Sequence, residues 1–212
     1  SVLFDHDADG IRTATGWIAA DDGLLVLDRN GNGLIDSGRE LFGDNTLLKD
    51  GSLASSGFAA LAEFDENQDG KIDAQDAVYA QLRVWRDMNQ DGISQADELF
   101  SLEALGIQSL DLNHQNLNQR QSDGNTLARL GSYSDAQGQA RKMGDFLLAH
   151  NGMISRFSDE IDLSSADKQA VNLRGMGRLR DLQSAAAMGR SNLKAVIEAC
   201  SHAETKQEQM AA

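Results

Sequence analysis

Oxygen-bearing side chains recur in this sequence at a spacing that suits a hard cation. Four clusters, DHDADG at 5–10, DRNGNG at 28–33, DENQDG at 65–70 and DMNQDG at 87–92, put Asp or Asn at positions one, three and five and glycine at six. Alternation turns successive side chains toward one centre, and glycine permits the bend that wraps the chain round it. An ion of calcium's size needs both. A single such cluster could be an Asx turn of no further meaning. Four within the first 92 residues form a pattern.

The candidate ligands follow from the numbering. Asp65, Asn67 and Asp69 open one loop; Lys71 offers its carbonyl at seven, Ile72 is the apolar residue at eight, Asp73 stands at nine and Asp76 closes at twelve. Asp at twelve reaches less far than Glu, which predicts weaker binding. Asp87, Asn89 and Asp91 open a second loop, with the Ile93 carbonyl at seven, Glu98 at twelve and Asp97 competing to close it. Asp28, Asn30 and Asn32 open a third in which Arg39 takes position twelve. Glu40 at thirteen or Asp36 at nine must then close it, with Asp44 as a helper. Asp5, Asp7 and Asp9 open a fourth whose twelfth residue is Gly16, so that only a longer loop bringing in Asp21 or Asp22 completes it.

The elements that must hold these loops are short. Gly57–Phe64, Ala74–Trp85 and Gln95–Leu105 have apolar residues at helical spacing, which reads as helix–loop–helix, the EF-hand arrangement, around 65–76. A helix at 77–85 would then serve two loops, so that occupancy of one biases the other. VLF (2–4) and LLVL (24–27) read as short buried strands or single helical turns. Stretches 107–113, 125–133 and 140–150, the last two joined by the turn SDAQGQ, predict a small antiparallel sheet. Past Arg156 the chain becomes polar and then helical, with Leu179, Leu182, Ala186, Leu193, Val196 and Ile197 as an intermittent stripe broken by Gly189. The polar last dozen residues are expected to fray. The expected fold is α+β: EF-hand-like calcium loops with short helices, a small antiparallel sheet and a C-terminal helical tail. The expected domains are 1–155 and 156–212.

Composition excludes several functions. The 212 residues carry 33 acidic and 19 basic side chains, a formal charge of −14, which argues against nucleic acid or an anionic membrane as partner. Residues 1–100 hold 20 of the acidic groups and only 7 of the basic ones. Asp outnumbers Glu by 24 to 9, unlike a solvated helical surface, where Glu is the better helix former. With Cys200 alone, an intrachain disulfide or cysteine zinc site is excluded. Apolar runs stay far below the roughly 20 residues that span a bilayer. His6, His114, His150 and His202 are scattered, and His6 is expected to face solvent. Trp17 and Trp85 read as core anchors, and Arg174, Arg178 and Arg180 as a solvated face or a partner for the acidic half.

Electrostatics ties the cation to folding. Two like charges 4 Å apart repel by about 1 kcal/mol in water and about 4 kcal/mol at an effective dielectric of 20. Several such pairs rival a total stability of roughly 5–15 kcal/mol. The first 106 residues are therefore expected to fold only with the ion.

The runs LFDHDADGIRTATGW (3–17), LLVLDRNGNGLIDSGRELFGD (24–44), LRVWRDMNQDGISQADEL (82–99) and LGIQSLDL (105–112) closely resemble the calcium-dependent self-processing module of FrpC-like repeat-in-toxin (RTX) proteins. The likeness covers about residues 1–155, and GRLRDLQSAA (177–186) is similar to the segment that often follows. It implies a secreted bacterial protein, exported by a type I system, whose module folds on extracellular calcium and promotes cleavage of an Asp–Pro bond at its own N-terminal edge. Proline nitrogen carries no hydrogen, so the Asp carboxylate attacks its own carbonyl, expels the proline nitrogen and leaves a cyclic anhydride that a lysine amine can capture. By the same resemblance Asp65, Asp76, Asp87 and Glu98 fall at positions whose calcium ligation supports that activity. The chain has no proline, hence no Asp–Pro bond, and RTX nonapeptides are missing from it. The expectation is therefore a monomeric calcium-binding module, a fragment of an RTX-type exoprotein with the scissile bond upstream of Ser1 and no catalytic residue of its own. Two further readings stay open. One is an autocatalytic processing and cross-linking enzyme in a longer chain; the other is a dockerin-like adhesion module that uses calcium loops to present a surface to a protein partner.

Overall fold

The computed structural model describes residues 2–189, 192–203 and 205–211. The chain divides into two compact units, one of 1–9 with 13–151 and the other of 10–12 with 152–212.

The regular structure of the first unit is almost wholly antiparallel strand, joined by long turns. Val2–Phe4 (β1) pairs with Ile11–Thr15 (β2), Phe4 opposite Thr13. Leu24–Val26 (β3) is the first strand of a second sheet. A single six-residue helix, Gly57–Ala62 (α1), starts at Ser56, whose hydroxyl accepts the Ala59 N–H. Lys71–Ile72 (β4) leads into the 65–76 loop's second half, and Arg83–Trp85 (β5) and Leu99–Ser101 (β6) flank the 87–98 loop. The second sheet runs β3-β5-β6, with Leu24 opposite Trp85 and Trp85 opposite Leu99. Three long strands follow: Ile107–Arg120 (β7), Thr126–Asp135 (β8) and Ala140–Leu147 (β9). They form, with β4, a sheet of order β4-β7-β8-β9.

This architecture corrects the α+β expectation. The molecule is mostly β, and the helix–loop–helix pattern is not there among the described residues. Of the three predicted helices only the first forms. Ala74–Leu82 folds instead as successive tight turns, Asp76 N–H to Asp73 O, Tyr79 N–H to Asp76 O and Gln81 N–H to Val78 O. The apolar spacing was informative about burial, since Val78 and Leu82 are both in the core. It misled about backbone because Asp76 is pinned by its side chain, and the Arg83 guanidinium takes the Ala80 carbonyl, which a helix would give to the Val84 N–H. The third predicted helix, 95–105, is one 3₁₀ turn at Ala96–Glu98 followed by β6. Elements this short gain little from propensity, so tertiary packing decides their form. The expected sheet is present and larger than foreseen. From 113 outward β7 is exposed on both sides, which is why its alternation stops there. The glycine that interrupts β8, Gly131, lets α1 close on the sheet; a Cβ there would sit 2.7 Å from the Phe58 ring.

Two clusters make the core of this unit. Leu61, Ile72, Val78, Leu82, Leu102, Ile107 and Leu110 belong to one, and Phe4, Val26, Ile35 and Trp85 to the other. The second unit contains His150–Phe157 (β10) from Gly152 onward and the short helices Ser165–Gln169 (α2), Leu182–Ala187 (α3), Leu193–His202 (α4) and Lys206–Ala211 (α5). Of the expected stripe Ala186 and Ile197 are buried, whereas Leu179 is 74% exposed. Gly189, at φ +66°, stands just past α3. The polar stretch expected to fray includes the helix α5.

Candidate metal-binding loops

The four acidic clusters share one backbone. Position four is left-handed in every loop, at Ala8 (φ 58°), Gly31 (74°), Gln68 (60°) and Gln90 (57°). Position six is left-handed as well, at Gly10 (82°), Gly33 (79°), Gly70 (86°) and Gly92 (71°). A side chain in this region costs roughly 1–2 kcal/mol, so three loops hold a strained residue that something must stabilise.

The stabilising contacts repeat from loop to loop. The opening carboxylate accepts the glycine N–H at position six: Gly33 to Asp28 Oδ2 (2.8 Å), Gly70 to Asp65 Oδ2 (2.9 Å) and Gly92 to Asp87 Oδ2 (2.9 Å). Its other oxygen takes the N–H of Gly31, Asp69 or Asp91, and in the first loop Asp5 Oδ1 takes that of Asp9. The third residue accepts from the fifth, at Asn30, Asn67 and Asn89, and the fifth accepts from the seventh, at Asn32, Asp69 and Asp91.

The closing carboxylate bridges the N–H groups of positions two and nine. Glu40 takes those of Arg29 (3.3 Å) and Asp36 (2.9 Å), Asp76 those of Glu66 (2.8 Å) and Asp73 (3.0 Å), and Glu98 those of Met88 (3.1 Å) and Gln95 (3.3 Å). These two amides single out one carboxylate in each loop where spacing left a choice. In the third loop it is Glu40 at thirteen, 2% exposed, while Asp36 accepts from the Asn32 amide and Asp44 lies exposed beside Asn45. In the 87 loop it is Glu98, 3% exposed, with Asp97 on the surface. Burial pushes the Glu40 carboxyl above its ordinary range, Asp36 and Asp28 adding to the rise and the two amides opposing it.

The settings are β rather than helical. The 28–40 and 87–98 loops are each the tip of an antiparallel ribbon, clipped by the same bond: Leu27 N–H to Glu40 O (2.9 Å) and Arg86 N–H to Glu98 O (3.0 Å). Val26 bridges Leu41 as Trp85 faces Leu99. The 5–10 loop joins β1 to β2, and the 65–76 loop follows α1 and contains β4 at its positions seven and eight, with Ile72 paired to Leu110.

Donor chemistry fits a hard cation: carboxylate and amide oxygens, without thiol or imidazole. Two oxygens on one calcium lie within about 5 Å of each other, and Asp5, Asp7 and Asp9 each place a ligand oxygen within 4.8 Å of the others. Carboxylates thus converge at the 5–10 loop, which carries Asp at position three where the other loops carry Asn. Asp21 and Asp22 stay exposed in a turn closed by Asp22 N–H to Ala19 O (3.0 Å). In the 65 loop Lys71 sets its ammonium 3.8 Å from both Asp69 and Asp73 at a half-exposed edge, an attraction of small worth. The Ile93 side chain is exposed and its N–H bonds Asp91.

Sequence reasoning missed three partners. Trp17 Nε1 donates to Asp87 Oδ2 (2.7 Å) and Trp85 Nε1 to Glu98 Oε2 (3.2 Å), so both end carboxylates of the 87 loop carry an indole. The signal was available, because a buried indole N–H needs an acceptor. His6 is half-buried rather than solvent-facing, edge-on to Phe4 at 5.1 Å and bonded to Thr15 (3.0 Å), and burial lowers its basicity.

Comparison with known proteins bears on these loops. The sequence profile of the SPM domain matches residues 1–149. The iron-regulated protein FrpA of Neisseria meningitidis serogroup C is 58% identical over 209 residues, which is 99% of this chain and 19% of that protein. The chain spans about a fifth of that relative's length.

Proposed function

The chain belongs to the SPM-domain family, and from that premise we propose that it is the calcium-dependent folding module of an RTX-type secreted protein. The observation that carries the reading is the repeated loop: one opening carboxylate, left-handed positions four and six, and a carboxylate spanning the amides of positions two and nine. Calcium would be held by Asp28, Asn30, Asn32 and Glu40; by Asp65, Asn67, Asp69 and Asp76; by Asp87, Asn89, Asp91 and Glu98; and by Asp5, Asp7 and Asp9. The Lys71 and Ile93 carbonyls and Asp73 complete the proposed sets. The ion supplies positive charge where acidic groups otherwise repel. The protein's part is to aim the oxygens, which the amide contacts do by fixing each carboxylate's rotamer. Ion binding then becomes folding free energy.

Calorimetric titration beside circular dichroism tests this. Calcium is expected to bind with measurable heat and to raise β-structure over a chelator control, and Asp65→Asn and Asp87→Asn are each expected to lower the heat. Spectra that coincide in chelator and millimolar calcium, with no heat of binding, overturn the reading. Secretion of the parent protein and calcium-triggered Asp–Pro cleavage belong to the same proposal through family membership. In a longer chain with an Asp–Pro bond ahead of the module, calcium is expected to release a fragment beginning with proline, and an uncut chain counts against it.

A further inference from the structure

The four loops are not equivalent in their surroundings. Ser94, at position eight of the 87 loop, is 4% exposed, and its hydroxyl accepts the Ile35 N–H (2.7 Å) and faces the Ile35 carbonyl (3.3 Å). Ile35 is itself position eight of the 28 loop and 2% exposed. One side chain thus satisfies both backbone groups at the matching point of the neighbouring loop. The strands leading into these loops, β3 and β5, pair residue for residue from Leu24–Trp85 to Val26–Arg83. Ile35 and Trp85 share a buried cluster with Phe4 and Val26, and Trp17 bonds Asp87 while standing 5.5 Å from Trp85. The 65 loop sits elsewhere: its position eight, Ile72, is in the other cluster and pairs with Leu110 on β7.

We propose that the 28–40 and 87–98 loops form one coupled pair, in which a divalent cation in either raises the affinity of the other through the Ser94 hydroxyl, while the 65–76 loop binds apart from them. This rests on the reading of the loops as cation sites. The physical reason is that position eight carries the chain between the position-seven carbonyl and position nine, whose N–H holds the closing carboxylate. Fixing Ile35 against Ser94 orders that corner in both loops at once. The second ion then meets a corner whose ordering has already been supplied, which is positive coupling.

The two tryptophans, the only ones in the chain, both donate to carboxylates of the 87 loop. Indole fluorescence in a calcium titration therefore reads the 87 loop and the cluster it shares with Ile35, in which the 65 loop has no part. Glu40→Gln, which disables the 28 loop, is expected to move the fluorescence midpoint to at least about fivefold higher calcium, the lower end of ordinary coupling. Asp76→Asn, which disables the 65 loop, is expected to move it less than twofold. In a Ser94→Ala background Glu40→Gln should add less than a twofold shift, and Ser94→Thr, which keeps the hydroxyl, should restore the effect. Circular dichroism at saturating calcium confirms that each variant is folded. Equal shifts from Glu40→Gln and Asp76→Asn, as one global folding transition would give, overturn the pairing, and so does an unchanged Glu40→Gln shift in Ser94→Ala. Absence of any calcium heat or fluorescence change in the parent chain sinks the cation reading instead.

Discussion

Alanine at two of the loop glycines separates backbone strain from packing. Gly70 and Gly92 both stand at position six, at φ +86° and +71°. Each alanine therefore meets the left-handed cost of roughly 1–2 kcal/mol. A Cβ on Gly70 finds nothing within 4 Å, whereas one on Gly92 lies 2.5 Å from Val2 Cγ1 and 2.9 Å from the Leu3 carbonyl oxygen. The valine can turn aside, but the backbone carbonyl belongs to β1 and can move only with it. Overpacking of this kind adds about 1–3 kcal/mol. Gly70→Ala is thus expected to cost about 1–2 kcal/mol and Gly92→Ala about 2–5 kcal/mol. For a chain of this size each kcal/mol lowers the melting midpoint by about 2–4 °C. Urea and thermal unfolding at saturating calcium, followed by indole emission, measure both losses. In a Val2→Ala background the Gly92→Ala loss should shrink, because the two sites share a contact. Equal losses for Gly70→Ala and Gly92→Ala would refute the close seating of β1 on the 87 loop.

Glu98→Gln should weaken calcium binding at least about tenfold, since a buried carboxylate with three donors is replaced, while Asp97→Asn stays within about twofold; titration calorimetry distinguishes them. Asp145→Ala leaves Arg129 and the Gly57 N–H without their acceptor and should cost about 2–3 kcal/mol in urea, against less than about 0.5 kcal/mol for Lys71→Ala at its exposed pair. Glu40, whose carboxyl burial raises, holds a proton more tightly folded than unfolded. Its ionisation therefore opposes folding of the ion-free chain at neutral pH, and that penalty fades as pH falls through its raised range. Calcium binding favours the ionised carboxyl, so a proton held there is released on binding. Calorimetry in buffers of different ionisation heat should show proton release that grows as pH falls and that Glu40→Gln reduces.

Much of this was legible from side-chain spacing. The loop positions, the short buried segments at 2–4 and 24–27 and the three long strands were all signalled by short-range pattern. The turn at 134–139 formed as read, with Gly138 at φ +73°. What failed was inference from apolar periodicity to helix. Val78 and Leu82 lie four apart and are buried, but Asp76 spends its carboxylate on the amides of Glu66 and Asp73 and so bends the chain into turns. Likewise Leu99 and Leu102 face the core from a strand and the turn after it rather than from a helix. Long-range partners were beyond pattern altogether. Nothing local connects Ser94 to Ile35, 59 residues away, or Trp17 to Asp87, 70 residues away.

The amide pair that holds each closing carboxylate also says where these loops tolerate a change of length. Three residues stand between Asp36 and Glu40, but two between Asp73 and Asp76 and between Gln95 and Glu98. All three carboxylates nonetheless reach the same two N–H groups. An added residue has thus been absorbed after position nine, in the short bend that returns to the ribbon, with the arc of alternating side chains before it left in register. A designer wishing to lengthen such a loop, or graft a tag into it, would cut there and nowhere earlier.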